Sequence, residues 1–252
     1  MKAILTYHSV DDSGSAVSVS PDTFRRHVRW LASGRVRVVT VPELLALPPA
    51  SDAVAITFDD GLRSFGDVAA PLLAEHGLPV TLFVVSDRVG TTSAWGDAAT
   101  RRGPKVPAFP LLDWPALRRL AERGVELGAH TRTHRELTRV RGAVLAEEVD
   151  GCAARIAAET GRRPRVFAYP YGAVDDDALA VVARAYDWAC TTELRALAAG
   201  ERPHLLPRLD AYYLQAPGAI ESWGSAAFRR RLWLRAGARR VRRTLASALG
   251  AA

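Results

Sequence analysis

The stretch AITFDDG, residues 55–61, ends an apolar run in two adjacent carboxylates and a glycine. Neighbouring side chains on a strand point to opposite faces. Two like charges this close repel unless a cation lies between them or one serves as a proton acceptor. Further along, VELGAHTRTH carries His130 and His134. Two imidazoles at that spacing can reach one metal ion. One aspartate with two histidines makes a facial set that leaves positions open for water and substrate. A divalent ion so held acidifies water and polarises a carbonyl, and an uncoordinated carboxylate beside it can take the proton. Of Asp59 and Asp60, one would bind the ion and the other would stay free as a base, with Gly61 letting the backbone turn tightly beneath the site.

These groups sit far apart in the chain, so the fold must gather them. Short β-branched or apolar runs recur at 3–8, 37–41, 53–58, 80–85, 125–130, 165–170 and 187–192. Helical patterns lie between most of them. The first has Ser20 as N-cap, Pro21 in its first turn, Phe24, Val28 and Leu31 on one face, and Gly34 as its stop. Others cover 63–76, 114–123, 140–160 and 175–186, the last opening on Asp175, Asp176 and Asp177 at the positive end of its dipole. Strand and helix in alternation imply an α/β fold with a parallel sheet and helices outside. About seven strands in one chain favour closure into a (β/α) barrel, and barrels of this kind place catalytic groups at the C-terminal ends of strands. Asp59, Asp60 and His130 all fall there. The expected organisation is a single barrel domain over residues 1–215 and an Arg-rich C-terminal extension over 216–252. Residues 88–113, rich in Gly, Pro, Ser and Thr, are too long for a simple connection and are expected to form a functional loop.

The bulk numbers agree. The chain has 252 residues, 48% hydrophobic and 24% charged, which is ordinary for a soluble globular protein and enough for a sizeable core. Cys152 and Cys190 are far apart and outside any CxxC pattern, so buried free thiols are expected rather than a disulfide framework. The opening MKAILTYHSV lacks the apolar run and cleavage site of a signal peptide, and no stretch approaches a membrane span. A cytoplasmic location is therefore expected.

TFDDG, HTRTH and FAYPYG together resemble the polysaccharide deacetylase family, carbohydrate esterase family 4, over roughly residues 3–213. The resemblance implies a distorted (β/α) barrel and metal-dependent removal of N-acetyl groups from amino sugars. Carried over by motif, Asp59 is the general base, and Asp60, His130 and His134 hold one divalent metal. Zinc ranks first, with cobalt, nickel and iron accepted by the same donors. Tyr171 lines the groove, and its backbone N–H helps hold the oxyanion. Two departures stand out. Where the family's third motif often carries an arginine that braces the base, this chain has Ala168, and Arg208 in LLPRLD is the candidate substitute. The family's closing Leu-x-His motif, source of the general acid, has only the poorly spaced His204 as a match. In the branch similar to the biofilm poly-N-acetylglucosamine deacetylases, an early YHxV histidine does that work, which makes His8 of LTYHSV the chosen acid. The family's Asp–Trp element is faintly echoed by Asp187 and Trp188.

The substrate implied is an N-acetylated sugar, within a polymer, a lipid-linked glycan or a small glycoside. The alternatives are a deformylase or amidase acting on a lipid-linked sugar or natural product, and a sugar-binding protein with a dead site. Elsewhere, His27 on its charged helix reads as solvated, and His76 as a residue near a helix end. Trp95 and Trp114 flank the long loop, where they can stack on sugar or pack on the protein.

Residues 228–243 hold eight arginines and no acid, more charge than the +7 of the whole chain. Residues 225–249 read as a helix with Phe228, Leu232, Val241, Leu245 and Leu249 on one side. Such a tail can touch an anionic membrane, making the protein membrane-associated, or pack on the barrel. Nucleic acid ranks last, because no nucleic-acid fold motif accompanies the charge.

Overall fold

The computed structural model describes residues 1–95 and 106–248, with residues 240–248 as backbone alone. The strands are β1 (Lys2–Tyr7), β2 (Ser9–Val10), β3 (Ser18–Val19), β4 (Arg37–Val38), β5 (Ala53–Phe58), β6 (Val80–Val84), β7 (Glu126–Ala129), β8 (Val166–Ala168), β9 (Trp188–Cys190) and β10 (Leu209–Asp210). The helices are α1 (Pro21–Leu31), α2 (Val41–Ala46), α3 (Ala70–Glu75), α4 (Trp114–Glu122), α5 (Gly142–Ala146), α6 (Cys152–Thr160), α7 (Asp176–Ala185) and α8 (Ala226–Ala248). The main sheet runs β10-β1-β5-β6-β7-β8-β9, with β4 also pairing β5. All its pairings are parallel.

Alternation along each strand sorts the core into two shells. Ile4, Ala53, Ala55, Phe83, Val166, Ala168, Cys190 and Leu206 fill the inside of the curved sheet. Leu5, Tyr7, Val54, Ile56, Phe58, Leu82 and Phe167 face outward and pack under helices that contribute Phe24, Leu31, Leu73, Ile156 and Val182. The arc closes through one irregular segment. Leu206 bridges Cys190 of β9, and three residues later β10 pairs Leu209 with Leu5 of β1. The seam of this distorted barrel therefore lies at residues 206–210, around Arg208.

Local chemistry explains most element ends. Ser20 caps α1 with its side chain on the Thr23 N–H, Asp113 caps α4, and Asp175 caps α7. The run RVVTV, expected as a strand, is cut short. Thr40 and Glu43 form a reciprocal capping box with Pro42 in the first turn, and α2 starts at Val41. The expected helices at 63–76 and 140–160 contain wide turns at Phe65–Ala69 and Glu147–Gly151. His27 is a correction. It is fully buried, with Nε2–H donated to the Leu214 carbonyl and Nδ1 accepting from the Tyr7 hydroxyl, each at 3.0 Å. Cys152 and Cys190 are buried free thiols, and burial pushes them up to about 11 and about 12.

Phe228 and Leu232, from the expected extension, join the main core. Val241 and Leu245 lie where the backbone alone is described, and Leu249 lies outside the described residues, as do 96–105 of the long loop. Among the described residues, no helix is long and apolar enough to cross a membrane.

Candidate active site

Three strand ends build the site. β5 stops at Phe58, and the Asp59 N–H donates to the Tyr7 carbonyl at 2.9 Å. Asp60 (φ 73°) and Gly61 (φ 72°) then take left-handed conformations in succession. Only Gly61 was expected to need that freedom. The strand alternation is broken here, and this is what lets both carboxylates serve one cleft. β7 ends at Ala129, and Thr131 and His134 are both at φ 65°. After β8, Tyr171 sits at φ 61°. Asp60, Thr131, His134 and Tyr171 are all the non-glycine residues with positive φ among those described. Such conformations cost of order 1–3 kcal/mol each and persist where the surroundings over-determine them.

The surroundings do so here. Buried Glu148 accepts from the Thr133 N–H and hydroxyl at 2.9 and 2.6 Å, and the Thr131 hydroxyl accepts from the His134 N–H at 2.9 Å. Gly172 (φ 68°) follows Tyr171, and a Cβ there would lie 2.2 Å from Thr192 Oγ1. The Thr192 hydroxyl in turn donates to the Tyr171 carbonyl.

Asp60, His130 and His134 come together. Each offers a ligand atom, and these atoms lie within 4.8 Å of one another. Asp60 Oδ1 is 3.5 Å from His130 Nε2 and 3.3 Å from His134 Nε2. His130 Nδ1–H donates to the Ala168 carbonyl at 2.7 Å, so its Nε2 lone pair faces the cluster. His134 Nδ1 pairs with the Tyr171 hydroxyl at 2.9 Å, leaving its Nε2 inward. Burial pushes His130 down to about 4, which keeps it neutral. Burial pushes Asp60 up, but the imidazoles around it, His134 foremost, hold it well below the usual carboxylate range. Asp60 Oδ1 is buried with no hydrogen-bond partner. An orphaned anionic oxygen facing two imidazole nitrogens is a donor set that fits a divalent cation.

Asp59 has a different neighbourhood. Arg208 meets it with two parallel bonds, Nη1 to Oδ1 at 2.6 Å and Nη2 to Oδ2 at 2.8 Å. Arg208 is itself buried, donating to the Thr191 carbonyl and the Thr6 hydroxyl at 2.9 and 3.0 Å. Burial pushes Asp59 up, but the Arg208 charge brings it below the ordinary value. His8, partly exposed at the end of β1, places Nε2 3.7 Å from Asp59 Oδ2. The arrangement thus offers an ionised carboxylate and an imidazole next to a cation site.

Residues to which the sequence reading gave no catalytic or ligand role also contribute. Trp95 stacks on His134 with ring centroids 4.3 Å apart. Its place beside the long loop was the available signal. Glu148 lies inside a helical pattern and gave none. Ala168, in the position where an arginine was sought, supplies its carbonyl to His130 instead. Asp187 pairs with Arg165, and Trp188 stacks under the same guanidinium, at the N-terminal end of β9 and away from the site. His204 donates its Nε2–H to the Tyr186 carbonyl near that same end, at 2.9 Å.

A family model for polysaccharide deacetylases matches residues 47–186, more than half of the chain. Among curated proteins, YxkH of Bacillus subtilis strain 168, named for the same family, is 23% identical over 212 residues, covering 82% of this chain and 70% of that one. A poly-β-1,6-N-acetyl-D-glucosamine N-deacetylase of Staphylococcus aureus is 21% identical over 206 residues, covering 76% and 67%. The chain thus spans about two thirds of the length of the curated relatives it matches. Among solved structures, IcaB from Ammonifex degensii superposes with a TM-score of 0.71 at 23% identity, covering 90% of this chain and 96% of that one. The matched range holds Asp59, Asp60, His130, His134 and Tyr171, while His8 and Arg208 fall outside it. With the fold of one such relative and the motifs of the family in one cleft, the chain belongs to the polysaccharide deacetylase family and is a hydrolase of that class.

Proposed function

We propose that this protein is a metal-dependent N-deacetylase of an N-acetylated amino sugar. The single observation that carries the reading is the pairing of an orphaned, buried Asp60 oxygen facing two imidazole nitrogens with an Arg208-braced Asp59 in the preceding residue. Asp60, His130 and His134 would hold one divalent ion, zinc first. Bound there, the ion would supply Lewis-acid polarisation of the amide carbonyl and a more acidic water.

The protein's own groups do the rest. Asp59, kept ionised by Arg208, accepts a proton from the attacking water. The water oxygen bonds to the carbonyl carbon, and the backbone N–H of Tyr171 donates to the oxyanion that forms. His8 gives a proton to the nitrogen as the C–N bond breaks, releasing acetate and a free amine. The name of the Staphylococcus aureus relative makes β-1,6-linked N-acetylglucosamine oligomers the first substrate to assay, ahead of lipid-linked and small glycosides.

The test is acetate release across such a panel after loading with zinc. Asp59→Asn is expected to lower turnover by about 10²–10⁴-fold with metal content unchanged. His134→Ala is expected to lose both. Near-normal rates in Asp59→Asn would remove the base assignment, and formate release from N-formyl analogues in preference to acetate would change the leaving group.

A further inference from the structure

The C-terminal helix carries a surface that the deacetylase reading leaves unused. On one side, α8 buries Phe228 and Leu232 in the core, and Arg235 and Arg239 lie over the Tyr213 ring. That side is spent on the barrel, so the apolar stripe expected to meet a membrane is not what the helix offers outward. Its outer side presents Trp233 and Leu234 at 74% and 53% exposed, the two most exposed large hydrophobic side chains among the described residues. At 3.6 residues per turn they lie either side of Arg230. Arg229, Arg230 and Arg231 are exposed, and none has an ion-pair partner among the described residues. Trp233 also forms one wall of a groove of about 840 Å³ between α8 and residues 192–197, where Leu194, Leu197, Leu232 and Ala236 extend the apolar surface inward.

Cations alone would suit any polyanion. Cations around an exposed tryptophan and leucine, backed by an apolar groove, suit a surface that is anionic outside and apolar just beneath. We propose that the outer face of α8 docks on an anionic phospholipid bilayer, with Trp233 and Leu234 at headgroup depth and Arg229, Arg230 and Arg231 on the lipid phosphates. Charge complementarity selects this occupant, since residues 228–243 hold eight arginines and no acid. The proposal is independent of the substrate, and its readout is not turnover.

The test is flotation of the full chain with vesicles of phosphatidylcholine alone or mixed with an equal part of phosphatidylglycerol. The chain is expected to float with the mixed vesicles only, and to be released by high salt. Each arginine near an anionic leaflet is worth about fivefold in partitioning, so replacing Arg229, Arg230 and Arg231 together by Gln should lower it about 100-fold. Trp233→Ser with Leu234→Ser should lower it about tenfold or more. All five positions are exposed, so circular dichroism and hydrolysis of a small soluble substrate should not change. Three outcomes overturn the proposal: flotation with neither vesicle, equal flotation with both, or parental partitioning of the Trp233/Leu234 variant. The last would leave a purely electrostatic surface, which binding to a DNA oligonucleotide would then reveal.

Discussion

Asp59 and Asp60 are neighbours in sequence and opposites in environment. Asp59 has both oxygens bonded by a buried guanidinium, and the protein neutralises it from within. Asp60 stands on left-handed backbone with one buried oxygen lacking any hydrogen bond. The first carboxylate is complete as it stands, and the second would be completed by a cation from outside, as the proposed function requires. A base must keep its lone pair ionised yet uncoordinated, whereas a ligand must be left unsatisfied, and the two conditions cannot be met by one pocket. The seam of the barrel resolves this, because Arg208 enters between β9 and β1 and reaches Asp59.

The sharpest way to break the contrast is Arg208→Met. It leaves a buried carboxylate uncompensated, a loss on the order of 3–5 kcal/mol, read as a lower urea midpoint at unchanged m-value. Asp59→Asn in the same chain should recover a large part of the loss, because no buried charge then remains. The pH dependence should also change sign at this residue. In the parent the Asp59 pKa is depressed, so its contribution is full above the unfolded carboxylate value and lost as pH falls. Without Arg208, burial raises it, the native state then binds the extra proton, and the variant gains stability as pH falls. A cost below about 1 kcal/mol for the single variant would show that the pair does not hold the seam.

Asp60→Asn should behave otherwise. In chelator, Asp60→Asn loses only the attraction of the imidazoles that hold the carboxyl low, so it should destabilise less than Asp59→Asn, which strands the buried Arg208 charge. With zinc present at about 1,000 times its dissociation constant, the parent should gain about 4 kcal/mol and the variant nothing. Melting curves of both chains, with and without zinc, measure this directly. Destabilisation of the metal-free variant as large as that of Asp59→Asn would mean that Asp60 is a structural carboxylate after all.

Much of the candidate ligand half was legible because Asp60, His130 and His134 sit in short strings at strand ends, TFDDG and GAHTRTH, with FAYPYG bringing Tyr171 beside them. Those strings report residue type and spacing, and the barrel places strand ends together regardless of the sequence between them. Arg208 was legible only as the candidate substitute, in LLPRLD, once Ala168 failed to supply an arginine. What no string disclosed is the backbone. Asp60, Thr131, His134 and Tyr171 adopt positive φ without being glycine, and a β-branched residue such as Thr131 carries no local preference for it. Around Thr131, His134 and Tyr171 the tertiary bonds from Glu148 and Thr192 impose it. Two other differences had signals in plain sight. Thr40-Val41-Pro42-Glu43 spells a capping box inside an apparent strand. His27 follows Phe24 by three residues and precedes Leu31 by four, which puts it on the buried face of α1 despite the arginines beside it.

That buried histidine gives the smallest and most separable effect, and it bears on the Asp59 half alone. His27 ties α1 to β1 through Tyr7 and to residue 214 through its carbonyl, and the next residue after Tyr7 is His8. Burial pushes His27 down to about 4 from its ordinary 6.5. Between those values the unfolded chain binds a proton that the native chain does not, so stability rises with pH across that window. The contribution is complete above about pH 6.5 and is lost as pH falls toward 4. From pH 7 to pH 5 the expected loss from this residue is about 2 kcal/mol. His27→Gln removes the titrating group, so its stability should be flatter over the same interval whatever its absolute value. If parent and variant lost stability in parallel between pH 7 and pH 5, the acid sensitivity would lie elsewhere, and the β1 side of the site would not be the half that acid loosens first.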